Sequence, residues 1–249
     1  MAELIRILPG ERYIYYADSI FAPYGQKSRE EILERCMMIA EHLIRQGVKA
    51  LVVACNTATS SAALEMRKRF SLPIIGMEPA LKPAVEAGLP GKILVLGTPF
   101  TIRKKKYQDL LHRYSDQKEI VSLACPGLVE LIEQGKLDSP EMKEKLIGLL
   151  QNLPLREFAA VVLGCTHFVF LRDTLREIFG PGVKFFDGNL GTANQVKRIL
   201  ETRQILAEEA MPPEENERVS LDTSGDPGHV LPLCRTLLSQ VLSMSRGEY

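Results

Sequence analysis

The sequence predicts an α/β fold whose sheets are mostly parallel. Short, continuously apolar runs, such as residues 50–54, are typical of strands that are buried on both faces. Stretches with helical spacing and helix-capping residues lie between these runs, so that strand and helix alternate along the chain. This alternation favours parallel pairing, because the chain needs a crossover, usually a helix, to return to the same edge of a sheet.

The first well-marked helix begins after Ser28. Ser28 and Glu31 have the spacing of a capping box, and Gly47 is placed to end the helix. The apolar residues between them recur at helical spacing, and they are Ile32, Leu33, Cys36, Ile39, Ala40, Leu43 and Ile44.

The same order continues to the end of the chain. The predicted strands are residues 48–54, 92–97, 119–124, 159–164, 183–186 and 219–221. Helices are predicted from about residue 100, from about residue 128, after Ser139 and Pro140, over 168–179, through residue 205 and over 227–244. Residues 208–217 contain two prolines and five acidic residues and are predicted to be a linker or surface loop.

The composition argues against nucleic-acid-binding, membrane-spanning and disulfide-stabilised proteins. The chain has 249 residues, of which 45% are hydrophobic and 25% charged, as in ordinary globular proteins. Lysine plus arginine equals aspartate plus glutamate, 31 against 31, and this balance argues against nucleic acid as a partner. No apolar run approaches the roughly 18 residues of a membrane span, so no membrane partner is expected. The five cysteines show no CxxC spacing, which favours a reduced, cytoplasmic protein over a disulfide scaffold.

Two predicted strands are each followed by a cysteine and then by polar residues. One runs into Cys55-Asn56-Thr57, and the other runs into Cys165-Thr166-His167. Sites in parallel α/β sheets lie at the carboxyl ends of strands, and a helix start there can bind a carboxylate and lower the pKa of a thiol. The duplication suggests two related lobes that face each other across one cleft.

Several chemistries could use these thiols. A cysteine hydrolase needs one nucleophile and a histidine, and it has no use for two equivalent thiols. Zinc could bind Cys165 and His167, but no further ligand cluster accompanies them. Two opposed thiols suit racemisation, in which one base removes a proton and the other delivers one to the opposite face. Cys36, Cys125 and Cys234 lack the same surroundings and are interpreted as structural.

The two cysteine segments, residues 54–59 and 163–167, resemble the paired motifs of the cofactor-independent glutamate racemases. His167 after Cys-Thr favours this group over the similar aspartate racemases. Further matching segments are residues 23–28, 124–126, 133–135 and 223–227.

The resemblance implies roles for individual residues. Cys55 and Cys165 would be the two acid/base residues, Cys55 on the D-glutamate face and Cys165 on the L-glutamate face. Glu133 and His167 would assist Cys165. The substrate would be held by Tyr24, Gly25, Asn56, Thr57, Thr166 and His167. No cofactor and no metal are expected.

The resemblance also implies an architecture and a biological role. The fold would be two Rossmann-like lobes, residues 1–79 with 189–249 and residues 80–188, with the active site in the cleft between them. The enzyme would supply D-glutamate for peptidoglycan synthesis. The sequence leaves open whether the chain assembles as a homodimer. An aspartate or related amino-acid racemase is the alternative enzyme.

The start of the chain departs from the family pattern. The family opens with a strand that ends in Asp-Ser-Gly, whereas this chain begins within what would be the following helix, near residues 4–10. We therefore expect a central strand of the first lobe to be missing, and a truncated, non-catalytic binding protein is a further alternative.

Overall fold

The computed structural model describes residues 1–208 and 218–243, and the chain divides into two compact units. The first unit contains Met1–Val53, Ser61–Gly76 and the described residues from Asn189 on. The second contains Ala54–Ser60 and Met77–Gly188. The first cysteine segment therefore belongs to the same unit as the second. None of the helices within the described ranges is long and apolar enough to cross a membrane.

The strands are parallel wherever they pair, which confirms the predicted fold class. The strands are β1 Tyr13–Ala17, β2 Leu51–Val53, β3 Ile74–Gly76, β4 Lys92–Gly97, β5 Ile120–Ala124, β6 Phe158–Leu163, β7 Lys184–Asp187 and β8 Val219–Thr223. In the first unit β1 pairs with β8 and β2 pairs with β3, and the second unit has a four-stranded sheet of order β5-β4-β6-β7.

The helices follow the strands as the sequence predicts. They are α1 Ala2–Ile7, α2 Arg29–Arg45, α3 Asn56–Arg69, α4 Leu81–Glu86, α5 Pro99–Arg103, α6 Lys105–Tyr114, α7 Leu128–Glu133, α8 Pro140–Leu150, α9 Arg172–Phe179, α10 Asn189–Thr202 and α11 Pro227–Ser243. Short 3-10 helices cover Tyr24–Gln26, Leu155–Glu157 and Thr166–Leu171.

Local capping signals account for the helix boundaries. The capping box of α2 is present, since the Glu31 amide donates to Ser28 Oγ and the Ser28 amide donates to the Glu31 carboxylate. Gly47 has a φ of 81°, which suits the residue that ends a helix. Ser139 caps α8 by accepting from the Met142 amide, at 3.1 Å.

Alternation along β4 and β6 builds the core of the second unit on both faces of the sheet. Leu94 and Leu96 pack on one face, together with the helices α7 and α8. Ile93 and Val95 pack on the opposite face, against α4 and α6. All four side chains are at most 1% exposed. The continuous apolar run in the sequence is therefore explained by a strand without a solvent face.

Two predicted elements differ clearly from the structure. The strand predicted over 48–54 is shorter, because only Leu51–Val53 pair with β3. The helix predicted over 168–179 is 3-10 up to Leu171, where aromatic and β-branched residues have low α-helix propensity. Most of the linker predicted over 208–217 lies outside the described residues.

Candidate active site

Gly164 allows the chain at the end of β6 to lie close to β4, directly before Cys165. The Gly164 amide donates to the Leu96 carbonyl at 2.7 Å. A Cβ at this position would lie only 2.7 Å from the same carbonyl oxygen, so a side chain would force the strands apart. Cys165 follows as the residue that precedes the 3-10 helix and is 8% exposed.

Asn56 joins the two cysteine segments. Its Nδ2 donates to the Gly164 carbonyl at 2.9 Å, and both groups are buried. The contact links the first turn of α3, directly after Cys55, to the residue directly before Cys165. The two segments that the sequence analysis singled out thus meet within the second unit.

The Cys55 thiol is a weak acid in this structure. Burial raises the pKa of Cys55 to about 11, and the Ala58 amide, 3.5 Å from Sγ, opposes this effect only in part. The neighbouring Cys165 raises the pKa further. The expectation that the helix start would lower this pKa is therefore wrong, because desolvation of the thiolate outweighs the α3 amides.

Cys165, His167 and Glu133 form a chain of polar contacts. His167 Nδ1 lies 3.8 Å from Cys165 Sγ, and His167 Nε2 lies 2.6 Å from Glu133 Oε1. Burial alone would lower the pKa of His167, but the Cys165 sulfur and the Glu133 carboxylate outweigh it and raise the pKa to about 10. The imidazole is therefore held in its protonated form at neutral pH, with its Nδ1 beside the Cys165 sulfur.

Two threonines that the sequence analysis did not select contact Thr57. The Thr57 hydroxyl lies 3.3 Å from Thr98 Oγ1 and 3.2 Å from Thr101 Oγ1, and all three residues are buried. Thr98 caps α5 by accepting from the Thr101 amide. The available signal was the Thr-Pro-x-x N-cap pattern directly after β4, because that strand end lies at the same sheet edge as Cys165.

Two lysines of the basic run 103–106, Lys104 and Lys106, line a hollow beside Asn56. The lining of the hollow also includes Thr101. Lys106 pairs with Glu78 at 2.6 Å, and Lys104 lies over the ring of Phe100. These contacts are those of a solvated, partly ion-paired surface.

Tyr24 and Gly25 lie in the first unit, in the short helix Tyr24–Gln26. The Tyr24 hydroxyl donates to Asp18 Oδ2 at 2.6 Å, and the Arg35 guanidinium binds both oxygens of the same carboxylate. Burial opposes ionisation of Asp18, but the hydrogen bonds from Arg35 and Tyr24 lower its pKa overall. A buried carboxylate therefore anchors this turn.

The remaining cysteines differ from Cys55 and Cys165 in their surroundings. Cys36 is buried on α2, and Cys234 is partly buried on α11. Cys125 is 2% exposed, and burial raises its pKa to about 12. In the described part of the chain, histidine, cysteine and acidic side chains do not gather in groups of three or more that could hold a metal ion.

Comparison with known proteins agrees with this arrangement. The family model described as Asp/Glu/Hydantoin racemase matches residues 2–196. The chain belongs to this racemase family. A glutamate racemase from Clostridium novyi (strain NT) is 46% identical over 201 residues, which cover 80% of this chain and 78% of that relative.

Two solved structures resemble this member of the racemase family over nearly the whole chain. The glutamate racemase isoform RacE1 from Bacillus anthracis has a TM-score of 0.80 and 29% identity, covering 96% of this chain and 88% of that one. The Escherichia coli glutamate racemase, solved in complex with L-glutamate and the activator UDP-MurNAc-ala, has a TM-score of 0.80 and 27% identity, covering 94% and 88%.

Proposed function

We propose that the protein is a glutamate racemase, a cofactor-independent isomerase that interconverts L- and D-glutamate by proton transfer at Cα. The observation that carries the proposal is the meeting of the Cys55 and Cys165 segments through Asn56 and Gly164. The relatives named above support glutamate as the substrate.

Cys165 is the base for L-glutamate in this proposal. The imidazolium of His167 lies 3.8 Å from the Cys165 sulfur, where its positive charge would be opposite a thiolate formed during the reaction, and Glu133 helps to keep His167 protonated. A thiolate beside a cation can remove the Cα proton while the pair stays shielded from bulk water, since Cys165 is 8% exposed.

Cys55 supplies the proton to the opposite face. With its pKa raised to about 11, Cys55 is a neutral thiol at physiological pH and is ready to donate. Cys165 as thiolate and Cys55 as thiol form the state that accepts L-glutamate. Conversion of L- to D-glutamate leaves Cys165 protonated and Cys55 ionised, which is the state that accepts D-glutamate.

Polar groups beside the thiols suit an amino acid. The Asn56 Oδ1 atom is buried and has no hydrogen-bond partner among the described residues, so it is available to accept from a substrate ammonium group. The hydroxyls of Thr57 and Thr166 would donate to substrate carboxylates, where donors also stabilise charge that develops on removal of the Cα proton. Tyr24, Gly25 and His167 complete the proposed binding residues.

The wider assignments belong to the same proposal. D-glutamate from this reaction would enter peptidoglycan synthesis in the cytoplasm. Residues 1–79 with 189–249 and residues 80–188 are the proposed lobes, and assembly as a homodimer is proposed alongside them.

Circular dichroism tests the proposal directly. We expect the chain to racemise L- and D-glutamate, and Cys55→Ala and Cys165→Ala each to lower the rate by about 10²–10⁴-fold, the usual contribution of a positioned acid or base. Cys234→Ala, which removes a thiol from α11, is the matched control and should retain the parental rate.

Three outcomes would contradict the proposal. Near-parental racemisation by either alanine variant excludes the two-base mechanism. A preference for aspartate over glutamate in competition favours the related aspartate racemase. A folded chain that exchanges no Cα proton of either amino acid into deuterated water is a binding protein.

A further inference from the structure

A buried charge pair bounds the segment that carries Cys165. Arg172 is the first residue of α9 and directly follows the 3-10 helix Thr166–Leu171. Its side chain is 6% exposed and pairs with Asp187, the last residue of β7, whose side chain is 11% exposed. Burial of two charges costs free energy, and this cost is offset only where the two groups contact each other closely.

The strand register shows what the pair joins. Asp187 pairs with Leu163 in the parallel ladder between β6 and β7. It therefore stands beside the point at which the chain leaves the sheet toward Cys165. Arg172 returns the far end of the segment to that point, so that residues 164–171 form a closed loop. The bond between Gly164 and Leu96 fixes the start of the loop, and the Arg172–Asp187 pair fixes its end.

The contacts inside this loop depend on its position. His167 Nδ1 and Cys165 Sγ are separated by 3.8 Å, close to the limit for a hydrogen bond to sulfur, while Nε2 is held by Glu133 at 2.6 Å. A shift of the loop by a few tenths of an ångström would break the sulfur contact before it broke the contact to Glu133. Phe168 and Leu171 anchor the loop in the apolar core, but apolar contacts do not define the direction of the imidazole ring.

We propose that Arg172 is a positioning residue that acts through Asp187 to align His167 with Cys165. Its planar guanidinium defines an orientation as well as a charge, which a lysine ammonium does not. The inference rests on the proposed function for its kinetic consequence, but the alignment itself is a property of Cys165 that can be measured without turnover.

The test compares thiol alkylation in Arg172→Lys and the parent. Iodoacetamide modification of Cys165 and Cys55 is followed by mass spectrometry at pH 7.5, with thermal unfolding measured in parallel. We expect Arg172→Lys to slow alkylation of Cys165 by about tenfold, because the thiolate loses its aligned imidazolium, and to leave Cys55 at the parental rate. Lys143→Gln, which removes an exposed pair with Glu177 in the same unit, is the control and should change neither rate.

A kinetic measurement separates positioning from simple loosening of the fold. With α-deuterated substrates, Arg172→Lys should increase the isotope effect for L-glutamate, whose proton Cys165 removes, and should not increase it for D-glutamate. Asp187→Asn keeps the shape of the side chain and should reproduce both results.

Each other result overturns the proposal. Parental alkylation of Cys165 in both variants shows that the pair does not align the thiol. Equal slowing at Cys55 and Cys165, or failure of both variants to fold, makes the pair purely structural. If the parent does not racemise glutamate, the proposed function fails, and the alkylation ratio still decides the role of Arg172.

Discussion

Replacement of Glu133 by glutamine should change the pH dependence of racemisation. The Glu133 carboxylate lies 2.6 Å from His167 Nε2 and is one of the two groups that raise the pKa of His167 to about 10. Glutamine keeps the size of the side chain and an acceptor oxygen but removes the negative charge. The imidazolium is then less favoured, so the pKa of His167 must fall.

The magnitude follows from the strength of a charged hydrogen bond. A hydrogen bond to a charged group contributes about 1.5–3 kcal/mol, and 1.36 kcal/mol corresponds to one pH unit. Loss of the charge should therefore move the alkaline limb of kcat/KM toward neutrality by about one to two pH units. In terms of rate, Glu133→Gln should retain most of the parental kcat/KM at pH 7 and should fall about three- to 25-fold below the parent at pH 9.5.

The assay is circular dichroism of L- and D-glutamate between pH 6 and 10.5. Because the equilibrium constant between enantiomers is one, kcat/KM must show the same pH profile in both directions. The ionisation of the substrate ammonium group affects parent and variant equally and cancels in their ratio. Glu144→Gln removes an exposed carboxylate from α8 in the same unit and should superimpose on the parent.

Thermal unfolding tests the contact between Glu133 and His167 without relying on turnover. In the folded protein the pKa of His167 is raised from 6.5 to about 10. The free energy that protonated His167 contributes to folding is therefore fully present below about pH 6.5 and is lost as the pH rises toward 10. The Tm difference between parent and Glu133→Gln should be larger at pH 6 than at pH 10. A variant whose alkaline limb coincides with that of the parent would refute the role of Glu133.

Two further predictions concern stability. Ser28→Ala removes the N-cap of α2 and should cost about 0.5–2 kcal/mol in urea unfolding, whereas the exposed Ser71→Ala should cost almost nothing; equal costs would exclude a capping role. Gly164→Ala places a Cβ against the Leu96 carbonyl and should lower the free energy of unfolding by about 1–3 kcal/mol and remove most of the racemase activity. Gly148→Ala, in an open helical position, should be neutral or stabilising. A Gly164 variant with parental Tm and rate would show that the approach of the strands is not tight.

Interactions between near neighbours in the sequence made much of the fold predictable. The strands of the second unit begin and end within one residue of their predicted positions. A strand that is buried on both faces must be apolar throughout, and this requirement is visible without knowledge of its partners. The capping box of Ser28 and the N-cap of Ser139 are likewise formed by residues three positions apart.

The protonation states at the candidate site depended on burial. The sequence correctly placed Cys55 before a helix start, and this led to the wrong expectation of a lowered thiol pKa. Burial by surrounding residues determines the actual direction. Desolvation depends on everything that packs around a group, so it has no signature in the six residues that follow the cysteine.

The sequence by itself determined the α/β class, most element boundaries and the two cysteine segments, because these depend on periodicity and on short-range hydrogen bonds. The tertiary structure alone decided that Asn56 bridges to Gly164, that Thr98 and Thr101 contact Thr57, and that Arg172 pairs with Asp187. These contacts join residues that lie between 15 and 108 positions apart in the chain. They form only when separate strands and helices pack against one another, so no short-range pattern in the sequence predicts them.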